Sequence, residues 1–235
     1  MARASPVAIT NRLLDRLPAE DRARVLGGCE RVELAFPEIL AEPGDAIPHV
    51  YFPIGAYISL LTPMGGANNL EVALAGDEGV YGVPIALGVD LSPVHALVQG
   101  SGTAWRMDAA TFRLELARVP TLRNCVDRYI YVLMSQIIQT AGCTRFHVVE
   151  QRLARWLLMT ADRAHSSSFH LTHEFLAYML GVRRVGITEA ASALQERKLI
   201  GYSRGAVTVR DRRGLERASC ACYRSDLSIY DRVFR

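Results

Sequence analysis

Residues 171–209, LTHEFLAYMLGVRRVGITEAASALQERKLIGYSRGAVTV, decide how the rest of the chain is interpreted. Thr172 suits a helix N-cap, because its hydroxyl can accept a bond from a free backbone N–H of the first turn. The apolar residues up to Leu180 lie three and four positions apart, which predicts one buried helix face. Gly181 tolerates the left-handed backbone that ends a helix. The stretch therefore opens with a short helix and a tight turn.

A second helix is predicted from about Arg183 to Gln195. Its inward stripe comprises Ile187, Ala190, Ala191 and Leu194. The outward face is small, hydroxylated and basic, with Arg183, Arg184 and Thr188 among its residues. Such a face suits the major groove of DNA, where Arg forms bidentate bonds to guanine and small side chains permit close approach.

Two short strands are predicted next, from Leu199 to Tyr202 and from Ala206 to Val209, with Arg204 at the tip between them. Helix, turn, helix and hairpin together predict a winged helix-turn-helix whose wing touches phosphate. Two amphipathic helices around a glycine also occur in all-α cores, and the spacing alone leaves that alternative open.

The distribution of charge supports a nucleic-acid partner. From Val148 onward the chain has 15 Lys and Arg against 9 Asp and Glu, a balance of +6, whereas residues 1–147 have 12 against 15, a balance of −3. A basic C-terminal part supplies the sequence-independent attraction to phosphate that a groove-reading helix needs.

The region from Glu30 to about Met107 has a different pattern. Short apolar runs, separated by Gly- and Pro-rich turns, occur at Val50 to Phe52, Tyr57 to Leu61, Leu70 to Ala75 and Ala96 to Gln99. This spacing predicts an antiparallel sandwich, roll or barrel. Before it, Asn11 to Gly28 predicts a short helical entry.

A long helix is predicted from Pro120 to about Gly142. One row of residues alternates steps of four and three, as in a coiled-coil seam: Leu122, Val126, Tyr129, Leu133, Gln136 and Thr140. A second apolar row, starting at Ile130, runs beside it. A helix with two apolar faces needs two partners, so we assign the seam to a homodimer interface. A helix buried within one chain is the alternative.

The order of these elements resembles the Crp/Fnr superfamily of bacterial transcription regulators. The matching stretches are Val50-Tyr51-Phe52-Pro53 with Gly55, Gly76-Asp77 with Gly82, Arg152 to Leu158, and Leu171 to Gly205. The resemblance implies an α+β fold with an N-terminal antiparallel β-roll, that is, a cyclic-nucleotide-binding-like jelly roll. A long central dimerisation helix and a C-terminal winged helix-turn-helix complete it. The implied domains are residues 1–118, 119–146 and 147–235, the last including a final helix over Arg212 to Arg235.

The resemblance also implies a degenerate effector pocket. Its residues are Gly82, Val83, Pro84, Val94, His95, Ile137 and Ile138. Members that bind cyclic AMP carry a glutamate where Val83 stands, an Arg-Ser pair where Val94-His95 stand, and hydroxyls at Ile137-Ile138. We therefore expect no control by cyclic AMP and an unknown small-molecule effector. The chain also lacks the cysteine cluster of oxygen-sensing members.

The expected partners are double-stranded DNA, a second copy of the chain and, from the resemblance, RNA polymerase. The DNA-binding candidates are Thr172, Arg183, Arg184, Thr188, Glu189, Ser203 and Arg204. Val185 stands where many members have a base-reading glutamate. No cofactor and no membrane contact are expected, and a cytoplasmic location follows from the lack of a signal-like apolar run.

Two other functions remain as alternatives. A cupin-like metal or small-molecule enzyme would need several histidines and a carboxylate converging in the roll, but residues 30–107 contain only His49 and His95. A winged helix used for protein contacts fits the basic face poorly. Five scattered cysteines, with Cys220 and Cys222 two apart, predict neither disulfides nor a metal site. We expect no catalytic residues, and we interpret His147, His165, His170 and His173 as solvated or capping residues.

Overall fold

The computed structural model describes residues 10–65, 69–203 and 205–235. It confirms the predicted fold class, with antiparallel sheets followed by a long helix and a C-terminal winged helix-turn-helix. Arg204, predicted for the wing tip, lies outside the described residues.

The N-terminal part begins with a 3₁₀ turn, Leu14–Arg16, and helix α1, Ala19–Gly27. Its strands are β1 (Glu30–Leu34), β2 (Ile39–Ala41), β3 (His49–Pro53), β4 (Tyr57–Pro63), β5 (Asn69–Ala75), β6 (His95–Gly100) and β7 (Gly102–Asp108). They form two antiparallel sheets, ordered β1-β7-β3 and β2-β6-β4-β5. Val50, Phe52 and Ile58 are fully buried between the sheets. The interior of the roll is thus filled by its own side chains.

The helical part begins with α2, Ala109–Arg118, and the long helix α3, Pro120–Phe146. The remaining elements are α4 (Val149–Ala164), β8 (Ser168–His170), α5 (His173–Leu180), α6 (Arg184–Glu196), β9 (Ile200–Ser203), β10 (Ala206–Val209), α7 (Arg212–Ala218) and α8 (Cys222–Val233). Leu153, Leu157, Ile187 and Leu194 form the centre of a second hydrophobic core beneath the helix-turn-helix. The predicted hairpin is confirmed as β9 and β10.

The row of α3 that the sequence assigned to a homodimer interface is instead buried within its own chain, so that assignment is wrong. Leu122, Val126, Tyr129, Leu133, Gln136 and Thr140 are between 0% and 7% exposed within a single chain. Part of this row packs on the roll, and the Gln136 side chain accepts a bond from the Leu74 backbone N–H at 3.3 Å. A helix lying on its own domain repeats every three to four residues just as a dimer seam does.

A different row of α3 is exposed and apolar. Tyr131, Met134 and Ile138 are 55%, 52% and 66% exposed, and Ala141 follows at the next step of three. Because 131, 134, 138 and 141 alternate steps of three and four, this row has the geometry of a coiled-coil seam.

The final helix predicted over Arg212 to Arg235 is in fact two helices, α7 and α8, broken around Ser219. Helix α8 leaves the helix-turn-helix and packs on α3, and Phe234 enters the first core at 5% exposure. Leu227 of this helix is 46% exposed. The last helix thus returns to the N-terminal half of the molecule.

The segment from His165 to His170 contains strand β8, which pairs antiparallel with β10. Its serine-rich sequence has no apolar alternation, so its pairing depends on the neighbouring strand. The winged unit therefore has a three-stranded sheet, ordered β8-β10-β9. No helix of the described residues is long and apolar enough to span a membrane.

Candidate DNA-binding site and effector loop

The first helix of the motif, α5, is fixed at both ends as its sequence predicts. The Thr172 hydroxyl accepts a hydrogen bond from the Phe175 N–H at 3.1 Å, which satisfies one free donor of the first turn. Gly181 ends the helix in the left-handed region, at φ +63°. A Cβ on Gly181 would also lie 3.1 Å from the Asn69 carbonyl oxygen of β5, so the turn fits closely against the roll.

The second helix, α6, buries the predicted stripe and exposes the predicted face. Ile187, Ala190, Ala191 and Leu194 are at most 5% exposed. Arg183, Arg184, Thr188 and Glu189 are all exposed at its N-terminal half. Val185 lies among them at 59% exposure, an apolar residue on an otherwise polar surface. The two arginines thus lie beside a small apolar contact, a combination that can meet a guanine edge and a thymine methyl group.

His173, interpreted from the sequence as a solvated or capping residue, is the first residue of α5 and connects α5, α6 and the wing. Its Nδ1 lies 3.0 Å from the Thr188 hydroxyl, which itself donates to the Arg184 carbonyl at 3.1 Å. The imidazole also lies against the Tyr202 ring, with 4.4 Å between centroids. Desolvation, together with nearby Arg184, lowers the pKa of His173, so the ring is neutral near pH 7. Thr188 is therefore held in place before any DNA contact.

Ser203 is exposed at the end of β9, on the tip of the wing. Gly205, next to the tip, has φ +81°, and a Cβ there would approach the His170 ring at 3.1 Å. Gly205 therefore turns tightly beside the His170 ring of β8.

The segment that carries most of the predicted effector pocket, residues 82–95, is called the effector loop here. Its groups contact other parts of the protein, whereas a nucleotide site would need free hydrogen-bond donors. Gly82 has φ +100°, and a Cβ there would approach the Val50 side chain at 2.7 Å, so the loop packs tightly on β3. Val83 and Val94 pack against the core of the roll. The His95 Nδ1 lies 2.7 Å from a Glu42 carboxylate oxygen.

The Ile137-Ile138 pair lies on the outer face of α3. Within one chain these residues are 40% and 66% exposed. The resemblance places them at the nucleotide base, and that assignment stays a prediction. Pro84, by contrast, lies at the start of the short 3₁₀ turn Val83–Leu87, where its missing N–H removes a donor.

Two buried ion pairs join the halves of the molecule. Arg163 of α4 lies 2.5 Å from Glu78, next to the effector loop, and both side chains are at most 10% exposed. Arg155 of α4 contacts Asp226 of α8 at 2.7 Å, again with both side chains buried. His165 contacts Asp77 at 3.1 Å, so this histidine too is paired. Removing one partner of a buried pair strands a charge, which costs several kcal/mol. Helix α4 is thus tied both to the roll and to the last helix.

Three of the five cysteines are clustered, and so the expectation that they are scattered is wrong. Cys143, Cys220 and Cys222 are buried together beside His147. A hydrogen bond from Cys220 lowers the pKa of the Cys143 thiol to about 5, against the rise that burial causes. The sequence carried a signal for this group, because Cys143 and His147 are four apart at the end of α3 and Cys220 and Cys222 flank one residue.

Comparisons with known proteins agree with this geometry. Residues 151–218 match the family described as the Crp-like helix-turn-helix domain. No curated protein sequence matches the chain. A Crp/Fnr-family transcriptional regulator from Eubacterium rectale has 15% identity and a TM-score of 0.68, with 88% of this chain and 97% of that one covered.

Two further structures show the same architecture. FixK2 from Bradyrhizobium japonicum is 12% identical with a TM-score of 0.69, covering 82% of this chain and 98% of that one. The regulator CLP from Xanthomonas campestris, described as responsive to c-di-GMP, is 16% identical with a TM-score of 0.67, covering 82% and 99%. At these identities the likenesses establish the fold, and the domain match establishes the helix-turn-helix.

Proposed function

We propose that this Crp/Fnr-type transcription regulator, with its Crp-like helix-turn-helix at residues 151–218, acts as a homodimer that binds a specific DNA sequence. The observation that carries the proposal is the face of α6. Its apolar stripe is buried, while Arg183, Arg184, Thr188 and Glu189 are exposed together on the opposite side. We assign Thr172 and Ser203 to phosphate contacts. Arg204, which lies outside the described residues, keeps the phosphate role that the sequence predicts for it.

The DNA test compares three arginine variants on an operator selected from random DNA. Arg184→Ala should lose about 1 to 3 kcal/mol of discrimination at one base pair, because it removes a bidentate contact to guanine. Arg204→Ala should weaken binding to all DNA sequences alike. It should also make the slope of log affinity against log salt concentration shallower by about one. Arg31→Ala, an exposed arginine on β1, is the matched control and should change neither quantity. If Arg184→Ala behaves like the control, a protein-contact role for the winged helix is favoured.

We place the dimer interface on the exposed row of α3, at Tyr131, Met134, Ile138 and Ala141. Burying these side chains against the same row of a second copy removes apolar surface from water, at about 25 cal/mol per Å². Ile138→Asp places two charges in that seam and should give a monomer by light scattering.

The matched control for the dimer test is Ile39→Asp. Ile39 is 53% exposed on β2, the sheet edge opposite β5, and β5 is the strand that packs on α3. It should remain dimeric. A dimer in both variants would place the interface elsewhere.

We also propose that cyclic AMP does not control this protein. Residues 76–96 contain no Arg or Lys, and His95, their one basic side chain, lies against the Glu42 carboxylate. A cyclic phosphate would therefore meet an acid and a filled core, and burying its charge without a cation costs several kcal/mol. Isothermal titration should detect no binding at micromolar concentrations. Micromolar binding that a change at Val83 abolishes would contradict the proposal.

We assign residues 1–118 to a sensor-like domain, 119–146 to the dimerisation helix and 147–235 to the reader, with α8 as a return segment. The alternative of a cupin-like enzyme gains no support from the roll, whose interior is filled with apolar side chains. We therefore expect no catalytic activity. The resemblance to Crp/Fnr regulators also leads us to propose a cytoplasmic location and RNA polymerase as a protein partner. The effector stays unassigned.

A further inference from the structure

The cysteine cluster brings four ligand-type side chains to one point. Cys143 is in the last turn of α3 and His147 follows that helix directly, while Cys220 and Cys222 flank the turn between α7 and α8. One sulfur or nitrogen atom from each lies within 4.8 Å of all the others. The Cys143 and Cys220 sulfurs are 3.5 Å apart, and the Cys222 sulfur is 3.5 Å from His147 Nδ1.

These separations fit the corners of one tetrahedral metal centre. With Zn–S bonds of about 2.3 Å, two thiolates on the same zinc lie about 3.8 Å apart, and a sulfur and an imidazole nitrogen lie slightly closer. A small contraction of the group around an ion would satisfy all four bonds. An iron–sulfur cluster with two irons spreads its four ligands over both metals and needs wider spacing. The geometry therefore favours a single ion.

The surroundings also favour a metal. Cys143, Cys220 and Cys222 are 2%, 4% and 2% exposed, all are free thiols, and they form a cluster separate from the two hydrophobic cores. The Gln139 side-chain amide donates to the Cys222 sulfur at 3.0 Å, the kind of bond that orients a metal ligand.

The charge balance of the site is also favourable. Three thiolates and one Zn²⁺ leave a net charge of −1. Arg152 and Arg155 line the same small cavity as Cys143, about 30 Å³ in volume. Arg155 is already paired with Asp226, so Arg152 is the cation that offsets the charge of the site.

We propose that Cys143, His147, Cys220 and Cys222 bind one Zn²⁺ ion per chain. Because all four ligands come from the protein, the site is closed and structural, with no open position for a substrate. The ion would join the end of the long helix to the turn that follows α7, just beyond the helix-turn-helix match that ends at residue 218. Metal binding would then stabilise the attachment of the reader to α3.

The test uses the full chain, purified under reducing conditions with any affinity tag removed. Elemental analysis should find one zinc per chain and no stoichiometric iron. Co²⁺ added to the metal-free protein should give the intense visible bands of tetrahedral cobalt with thiolate ligands. Cys222→Ser and His147→Ala should each lower the metal affinity at least tenfold, whereas Cys29→Ser, which changes a half-buried cysteine outside the cluster, should retain full binding.

Chelation provides a second test, in which the Tm is measured before and after the metal is removed. Removing zinc should lower the Tm of the wild type and of Cys29→Ser, and lower that of His147→Ala by less, since weaker binding stabilises the folded state less. His147 is only half-buried, so its replacement threatens folding least. Three results would overturn the proposal: reduced protein that takes up no zinc or cobalt, equal binding by Cys222→Ser, or an iron chromophore in place of zinc.

Discussion

Glu71 on β5 should make the stability of this protein fall as pH rises. The carboxyl is buried where the roll packs against α4. Desolvation raises its pKa to about 7, and a hydrogen bond from Ser59 partly offsets that rise. The Ser59 hydroxyl lies at 2.7 Å from Glu71 and also against the Gln99 carbonyl oxygen, yet it has one hydrogen to donate. A protonated Glu71 can donate its hydrogen to the Ser59 hydroxyl, which then donates its own hydrogen to Gln99. These contacts agree with a neutral carboxylic acid at Glu71.

The sign and size of this pH effect follow from the protonation of Glu71 in the folded state and in the unfolded state. Below the unfolded pKa of 4.5 both states carry the proton, and Glu71 has no pH effect. Between there and about 7 the unfolded state loses the proton first, so the folded state loses stability as pH rises. Raising the pKa of Glu71 by about 2.5 corresponds to about 3 kcal/mol in the free energy of unfolding. Above about pH 7 the contribution is constant.

Glu71→Gln removes this titration, so the variant and the wild type should be similar near about pH 4.5, and the variant more stable by up to about 3 kcal/mol at about pH 8. Urea unfolding at several pH values measures the difference. Glu115→Gln is the control of opposite sign, because a hydrogen bond from Arg24 lowers the pKa of Glu115, and its loss should destabilise the protein at neutral pH. If Glu71→Gln leaves the pH slope unchanged, Glu71 is ionised in the folded state and the reasoning fails.

Three further predictions concern the architecture. Thr172→Ala removes the N-cap bond to Phe175 and should cost about 1 kcal/mol by urea unfolding, whereas Thr172→Ser should retain most of it. Gly79→Ala places a Cβ 2.0 Å from the buried Tyr129 ring, so its Tm should fall well below that of Gly27→Ala, where the added Cβ meets nothing within 4 Å. Leu133→Asp puts a charge in the core and should give unfolded or aggregated protein rather than a folded monomer, which circular dichroism distinguishes. A folded, monomeric Leu133→Asp would restore the original seam assignment.

The winged helix-turn-helix was predictable because its signals are local. The N-cap at Thr172, the αL turn at Gly181 and the buried stripe of α6 each depend on residues within one or two turns of each other. The same is true of the strands of the roll, whose apolar runs are bounded by turn residues.

The partner of each face of α3 was not predictable in this way. Both rows of the helix have apolar residues at steps of three and four, and periodicity does not say whether a face meets its own chain or another. Only the position of the roll decides that Leu133 is inside and Ile138 outside.

Contacts between distant segments were also missed. Cys143 and Cys220 are separated by 77 positions, and their proximity depends on the return of α8 to α3. Glu78 and Arg163 likewise meet only because α4 crosses beside the effector loop. Sequence spacing identifies ligand-type pairs such as Cys143 with His147, but the second pair is brought to them by the tertiary fold.

The return of α8 changes how the reader can move. The chain crosses between the two cores twice, at His147 between α3 and α4 and again around Ser219 between α7 and α8. A unit joined by one crossing can rotate in any direction, whereas two crossings side by side allow fewer directions, and the packing of α5 on β5 restrains the reader further. The cysteines and His147 lie where both crossings meet. Any change in the orientation of α6 would thus have to keep both crossings in place, and the four clustered side chains lie beside them.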